Sequence, residues 1–310
     1  ATVGWIPESD VDVTDAPVQP PTQKAIFGYG TTGSNSSLTN LVSSSGVVAT
    51  DTTGVGTARW SIAAASYGGD KAIFGYGDTG GDTAVSMTNL VSNSGVVATD
   101  TTGVGTARRQ TIGAGYGTDK AIFGFGNTSG GIVSSTNLVS SSGVVASDTA
   151  GVGTARLMAA AATYGTDKAI FGYGYTTGVV SMSNLVSSSG VVASDVSGVG
   201  TARRMLAATG YGSTGQAIFG YGYPASAVSM TNLVSNSGVI SSDVSGVGTA
   251  RYNPAAALYG GDKALFGYGT TGSNVSLTNL VSSSGVVASD TTGVGTARND
   301  LAAAAFSFSA

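Results

Sequence analysis

The chain has 310 residues, of which only 10% are charged, with a formal net charge of −4. That balance argues against a nucleic-acid partner, which needs clustered Lys and Arg to neutralise phosphates. The absence of cysteine and histidine excludes disulfides, thiolate metal sites and the commonest general base.

No run of 18 apolar residues marks a membrane span. Apolar residues nevertheless make up 41% of the chain and recur in patterned blocks, unlike a disordered sequence. The first stretch, residues 1–23, is acidic and proline-rich and reads as an extended arm or linker. It lacks both an initiator Met and a basic, apolar leader, which fits either a processed or an artificially chosen start.

From Lys24 onward the chain repeats itself. The phrase [KQ]A[IL]FG[YF]G places a phenylalanine at positions 27, 74, 123, 171, 219 and 266, at intervals of 47, 49, 48, 48 and 47 residues. "NLVS" and "TAR" each occur six times in step with it. A period of this size is the mark of a repeat architecture.

Four short strands are expected in each unit. "IAAASYG" is small and apolar, suited to a crowded place. "KAIFGYG" is an apolar run bounded by charge and glycine, as in a strand buried on both faces. "SLTNLVS" and "GVVATD" follow, joined by "SSSG" or "SNSG" turn chemistry, while "GGDK" joins the first two.

Four antiparallel strands in a unit of about 48 residues match a propeller blade. The last stretch, "NDLAAAAFSF", supplies a first strand, whereas Lys24 opens on a second strand that lacks one. The expectation is therefore an all-β, six-bladed β-propeller over 24–310, its C-terminal strand completing the N-terminal blade. An open solenoid would instead need polar caps.

The "TAR…AAASYGGDKAIFGYG" segment resembles the kelch repeat, with its arginine before a small-residue strand and an apolar strand ending in a glycine pair. Here an aromatic splits that pair (Gly28-Tyr29-Gly30), and "NLVSSSGVVA" replaces the usual later tyrosine and tryptophan. The near-identical "NLVSSSGVVASDTTGVGTAR" style is also similar to repeats encoded by bacteriophages in virion and tail proteins. These resemblances imply a kelch-like propeller in a virion or extracellular setting.

Gly28, Gly30 and Gly33 match GxGxxG, but a strand rather than a helix follows, so tight packing explains them better than a dinucleotide. An aspartate stands eight residues before each arginine: Asp51–Arg59, Asp100–Arg108, Asp148–Arg156, Asp195–Arg203, Asp243–Arg251 and Asp290–Arg298. Sixfold recurrence points to structural ion pairs or pinned loops between units rather than catalysis. One carboxylate per copy does not make a calcium site. The Asp-Lys pairs before the second strand read as exposed turn charges, replaced by Gly215-Gln216 in one unit. No catalytic constellation emerges, and no cofactor or metal is expected.

The units differ most just after the arginine and in the loop after the second strand. In an antiparallel blade both places lie on one rim, and variable loops on a rigid scaffold are where binding specificity resides. Trp60, Arg109, Leu157, Tyr175, Arg204, Tyr223, Tyr252 and Asn299 are thus the expected binding face. Drift at loop tips is the bland alternative.

The functional expectation is a non-enzymatic virion component, at the tail or capsid exterior. It would bind a host-surface receptor or glycan, or a neighbouring virion protein, with homo-oligomerisation possible within a larger assembly. A carbohydrate-binding lectin or adhesin is the alternative. A hydrolytic enzyme is a third, for which Asp78 and Asp82 in one loop would be the carboxylates.

Overall fold

The computed structural model describes residues 23–307, so nearly all of the expected arm lies outside the described residues. Gln23, the arm's last position, is buried against the repeat body. Its backbone oxygen accepts from the Gly260 N–H at 3.0 Å and its side-chain oxygen from the Gly261 N–H at 2.9 Å.

The described residues form strands and turns without helices. The first strands in chain order are β1 (Lys24–Gly28) and β2 (Thr39–Val42). Next come β3 (Ala63–Tyr67), β4 (Lys71–Gly75) and β5 (Thr88–Val91). The third unit holds β6 (Ile112–Tyr116), β7 (Lys120–Gly124), the short β8 (Asn127–Thr128) and β9 (Gly131–Ile132), and β10 (Thr136–Val139). The fourth has β11 (Ala160–Tyr164), β12 (Lys168–Tyr175) and β13 (Val179–Val186). The fifth has β14 (Ala207–Tyr211), β15 (Gln216–Gly220) and β16 (Thr231–Val234). Last come β17 (Ala255–Tyr259), β18 (Lys263–Gly267), β19 (Thr278–Val281) and β20 (Ala302–Phe306).

These strands make six three-stranded antiparallel sheets, with the KAIFG-type strand central in each, plus the β8–β9 ribbon. One sheet joins the two ends of the chain: β20 pairs with β1, with Lys24 opposite Phe306 and Ile26 opposite Ala304. The small-residue strands adjoin one another in sequence, and β20 lies against both β17 and β3.

The expected fourth strand is reduced to isolated bridges. In the first unit Val48 pairs with Val42 and Thr52 with Thr39, the two bridges being one residue out of step. The extra residue arises where the Asn40 amide donates to Ala49 O at 3.0 Å and to Asp51 Oδ1 at 2.9 Å. The side chain takes over ladder bonding there, so the edge bulges and the strand ends.

Burial follows composition. The central strand is covered on both faces, with Phe27, Phe74, Phe123, Phe171, Phe219 and Phe266 fully buried. Six apolar cores result, each shared by adjacent sheets: Ile26 and Tyr29 pack with Phe74 and Val91, while Phe27 and Val42 pack with Leu265 and Tyr268. Burying one such phenylalanine contributes roughly 1.5–3 kcal/mol. The approach is close enough to require glycine: a Cβ on Gly28 would stand 2.6 Å from the Phe74 ring, and one on Gly267 would stand 2.7 Å from that of Phe27.

Candidate functional site

The aspartate–arginine motif is structural, but its pairing differs from the expectation. Each arginine faces the aspartate of the following unit, not the one eight residues before it. Arg59 reaches Asp100 at 3.6 Å, Arg108 reaches Asp148 at 3.3 Å, and Arg156 reaches Asp195 at 3.8 Å. Arg203 reaches Asp243 at 4.0 Å, Arg251 reaches Asp290 at 3.8 Å, and Arg298 returns to Asp51 at 3.8 Å. The reason is chain direction: the arginine lies on the linker leaving one sheet and is buried where the next sheet begins.

All six arginine side chains are fully buried. Arg203 is representative of Arg59, Arg251 and Arg298, whereas the Nε atoms of Arg108 and Arg156 have no hydrogen-bond partner among the described residues. The Arg203 Nε donates to Tyr221 O at 2.8 Å, one terminal nitrogen to Thr201 O at 3.1 Å and the other to Asn232 Oδ1 at 2.7 Å, while its guanidinium stands 4.3 Å over the Tyr173 ring. A buried charge needs such a full set of partners. The stacked ring is the residue that splits the glycine pair. Tyr29, Tyr76, Phe125, Tyr173, Tyr221 and Tyr268 all adopt left-handed backbone, with φ of 58–64°. Burial pushes the Tyr29, Tyr76 and Tyr268 hydroxyls up to about 12.

Each aspartate also accepts from the preceding linker. Asp100 takes the Thr57 N–H at 2.9 Å and its hydroxyl at 2.6 Å, and Asn89 at 2.9 Å. Burial works against ionisation, yet these bonds hold the Asp51, Asp100, Asp148, Asp195, Asp243 and Asp290 carboxyls below the usual range.

The variable positions meet at one end of the sheets. The residue after each arginine pairs with the residue four positions after the central-strand phenylalanine: Trp60 with Asp78, Arg109 with Asn127, Leu157 with Tyr175, Arg204 with Tyr223, Tyr252 with Thr270, and Asn299 with Thr31. Several of these side chains reach the preceding unit's loop. The Arg204 guanidinium lies 4.8 Å over the Tyr175 ring and 5.9 Å from that of Tyr223, and Tyr223 meets Tyr252 edge-on at 4.9 Å. Tyr175, Arg204, Tyr223 and Tyr252 thus form one partly exposed ladder across the fourth to sixth units.

Other members of the expected face are engaged differently. Arg109 is clamped by Asp78 Oδ2 at 2.7 Å and by Asp82. Asp78 is fully buried and accepts the Gly80 N–H, so this carboxylate pair organises its own loop. Asn299 donates to Asn274 Oδ1 at 2.8 Å. Trp60 is half-buried. Leu157 is buried at 9% exposure and offers a partner almost nothing, which corrects its assignment to the accessible face.

At the opposite end, the turns between first and central strands link unit to unit. Ser307 N–H donates to Asp70 O, Gly68 to Asp119, Gly117 to Asp167, Gly165 to Gly215 and Gly212 to Asp262, each at 2.7 Å. The backbone carbonyl makes the link, which explains why Gly215 can replace an aspartate there. Lys71, Lys120, Lys168 and Lys263 each pair with the adjacent aspartate and stay 41–46% exposed.

One cavity lies among the six small-residue strands and a second just before their N-terminal ends. The first, of about 350 Å³, is walled by residues such as Ala65, Ala114, Ala162, Ala257 and Ala304 and reaches the Asp-Lys turn end. The second, of about 90 Å³, is lined by the second and third residues after each arginine, from Ser61 to Leu301. Sequence reasoning noticed the variability of those triplets but not that their middle members converge.

Among the described residues no three carboxylates cluster to hold a metal, and no helix is long and apolar enough to cross a membrane. No protein-family model and no curated protein matches this chain.

Proposed function

We propose that the chain is a closed six-bladed, kelch-like β-propeller that acts as a non-enzymatic binding component of a phage particle. It engages a host-surface receptor or a neighbouring virion protein through its variable end. The pairing of β20 with β1 supports closure, as does the return of Arg298 and Thr296 to Asp51. Chain ends zipped into one sheet leave no free edge on that blade's inner side.

The observation that carries the binding reading is the Tyr175–Arg204–Tyr223–Tyr252 ladder. Elsewhere the units repeat the same buried arginine and aspartate contacts, whereas here large aromatic and cationic groups remain partly exposed. Such residues anchor interfaces because they supply much contact area at low entropic cost. The Asp78–Arg109–Asp82 cluster is spent on its own loop, which favours binding over hydrolysis. A lectin reading draws on the same aromatic groups, but it would need equivalent pockets around the ring, and the ladder is confined to three units.

The test is to map the neighbours of this chain in native particles by cross-linking and to screen the purified chain on a glycan array. Replacing Trp60 and Tyr252 with alanine should weaken whichever partner is found, with little loss of stability. Binding of that variant at wild-type strength removes the variable-end reading. Sixfold-equivalent sugar binding favours the lectin.

A further inference from the structure

Ser61, Gln110, Met158, Met205, Asn253 and Asp300 are the middle members of the six variable triplets, and all hold left-handed backbone with φ of 50–58°. For side-chain-bearing residues this conformation is costly and persists only where surroundings impose it. The imposing contacts are backbone bonds between them. Ser61 N–H donates to Asp300 O at 3.0 Å, Gln110 to Ser61 at 2.9 Å, Met205 to Met158 at 2.9 Å, and Asn253 to Met205 at 2.8 Å. One residue from every unit is thereby brought to the same cavity of about 90 Å³.

The chemistry of this cup is lopsided. Asp300 is the only charged or titratable side chain lining it among the described residues. Among the described residues no ion pair includes Asp300. The cations nearest in chain position to the cup are committed elsewhere, Arg109 to Asp78 and Asp82, Arg204 to the Tyr175 and Tyr223 rings. Beside Asp300, the Ser61 hydroxyl is buried at 5% exposure of its residue and has no hydrogen-bond partner among the described residues. Gln110 and Asn253 line the cup with amide groups, and Met158 and Met205 line it with thioethers.

We propose that this cup binds a primary ammonium, with Asp300 as counter-ion and the Ser61 hydroxyl as a second acceptor. An ammonium carries three donors and no acceptor, which suits a site lined by a carboxylate and an unused hydroxyl oxygen. The cavity has room for a few waters or one such head, since a water occupies about 30 Å³ of liquid volume, so a sugar ring does not fit. A divalent cation would want several oxygens from more than one carboxylate. The methionines offer a polarizable wall for a methylene stem. Burial pushes the Asp300 carboxyl up to about 7, with the Asn253 hydrogen bond opposing, as expected of a carboxylate lacking its counter-charge. The inference does not rest on the partner reading, because a free amine tests it directly.

The probe is n-butylammonium, titrated calorimetrically into the full chain at about pH 8, above the Asp300 transition. Saturable binding of one ammonium per chain is expected. Asp300→Asn should weaken it about tenfold or more, the scale of a lost charge-assisted bond, and Ser61→Ala should weaken it by a smaller factor. Tetramethylammonium, which has no N–H, should not compete. Binding should also fade by about pH 5 as Asp300 takes up its proton.

The proposal is overturned by an absence of saturable binding at the higher pH, by an Asp300→Asn variant that binds as well as wild type, or by competition from tetramethylammonium. Should Asp300→Asn fail to fold, wild-type affinity that is the same at both pH values overturns it as well. Running Nα-acetyl-lysine methylamide in parallel separates the sources of the ammonium. Binding of both probes points to a lysine of a docked partner, binding of butylammonium alone to a free amine, and binding of neither overturns the site.

Discussion

Asp51 accepts three hydrogen bonds from Thr296, 245 positions away: the backbone N–H bonds both carboxylate oxygens, at 3.1 and 2.9 Å, and the hydroxyl bonds Oδ2 at 2.6 Å. Thr154 makes the same three bonds to Asp195 within the body of the chain. The junction between the last and first units is therefore chemically the same as an internal one. Asp51→Ala and Asp195→Ala should each destabilise by about 2–4 kcal/mol, because each strands donors and weakens the setting of a buried arginine. Urea denaturation of the two variants checks this. A silent Asp51→Ala beside a damaging Asp195→Ala would mean that the terminal junction is open in solution.

Removing residues 299–310 deletes β20, strips β1 of its inner partner and exposes a strand edge. Arg298 is retained, so the effect reports on the sheet rather than on the guanidinium. The truncated chain should melt well below the full one and tend to associate. Thermal denaturation followed by circular dichroism is the measurement, and an unchanged melting temperature contradicts the prediction.

Arg203 tests the buried guanidinium. Arg203→Ala leaves Asn232 Oδ1 and the Tyr221 carbonyl without their donor and opens a hole above the Tyr173 ring. A loss of about 3–5 kcal/mol is expected. Arg203→Lys should recover little of it, since a single ammonium cannot reach partners placed for a planar fork. Full recovery by lysine in chemical denaturation would show that charge alone matters.

Tyr76 sets strain against packing. Glycine would relieve a left-handed backbone, a gain of roughly 1–2 kcal/mol. It would also remove a ring that lies under Arg108 at 4.5 Å and meets Phe123 edge-on at 5.3 Å. Truncating a buried aromatic costs about 3–5 kcal/mol, so Tyr76→Gly should destabilise overall, and Tyr76→Ala more so. An unfolding series on these two variants gives the order.

Stability should depend on pH in two opposed steps. The six linker-binding aspartates have lowered carboxyl values when folded, so their contribution is present above about pH 4 and lost as pH falls below it. Asp300 is pushed up to about 7, so the folded state keeps a proton that the unfolded chain has released. Stability from that group therefore declines as pH rises from about 4 to about 7. The optimum should lie near pH 4–5, and Asp300→Asn should flatten the neutral limb while leaving the acid limb unchanged. Melting temperatures across the pH range decide it.

Much of the framework was legible because the units repeat. The strand order, the turns and the offset that pairs the tail with Lys24 all follow from phrases whose spacing hardly varies. The fourth strand was overestimated, since "GVVATD" has strand composition while the Asn40 amide, eleven positions before Asp51, competes for its ladder. The arginine's partner was misassigned for a related reason. The gap of eight residues invited a local pair, whereas the linker carries the arginine into the next sheet.

Local chemistry was enough to determine that this chain is all-β and sixfold repeated, because apolar runs, glycines and turn residues act over a few positions and recur in every copy. Which aspartate meets which arginine, that an aromatic replaces glycine at a left-handed position, and that Ser61 and Asp300 share one small cup were decided by the tertiary structure. Those relationships join residues tens to hundreds of positions apart, and only packing sheet against sheet brings them within bonding distance.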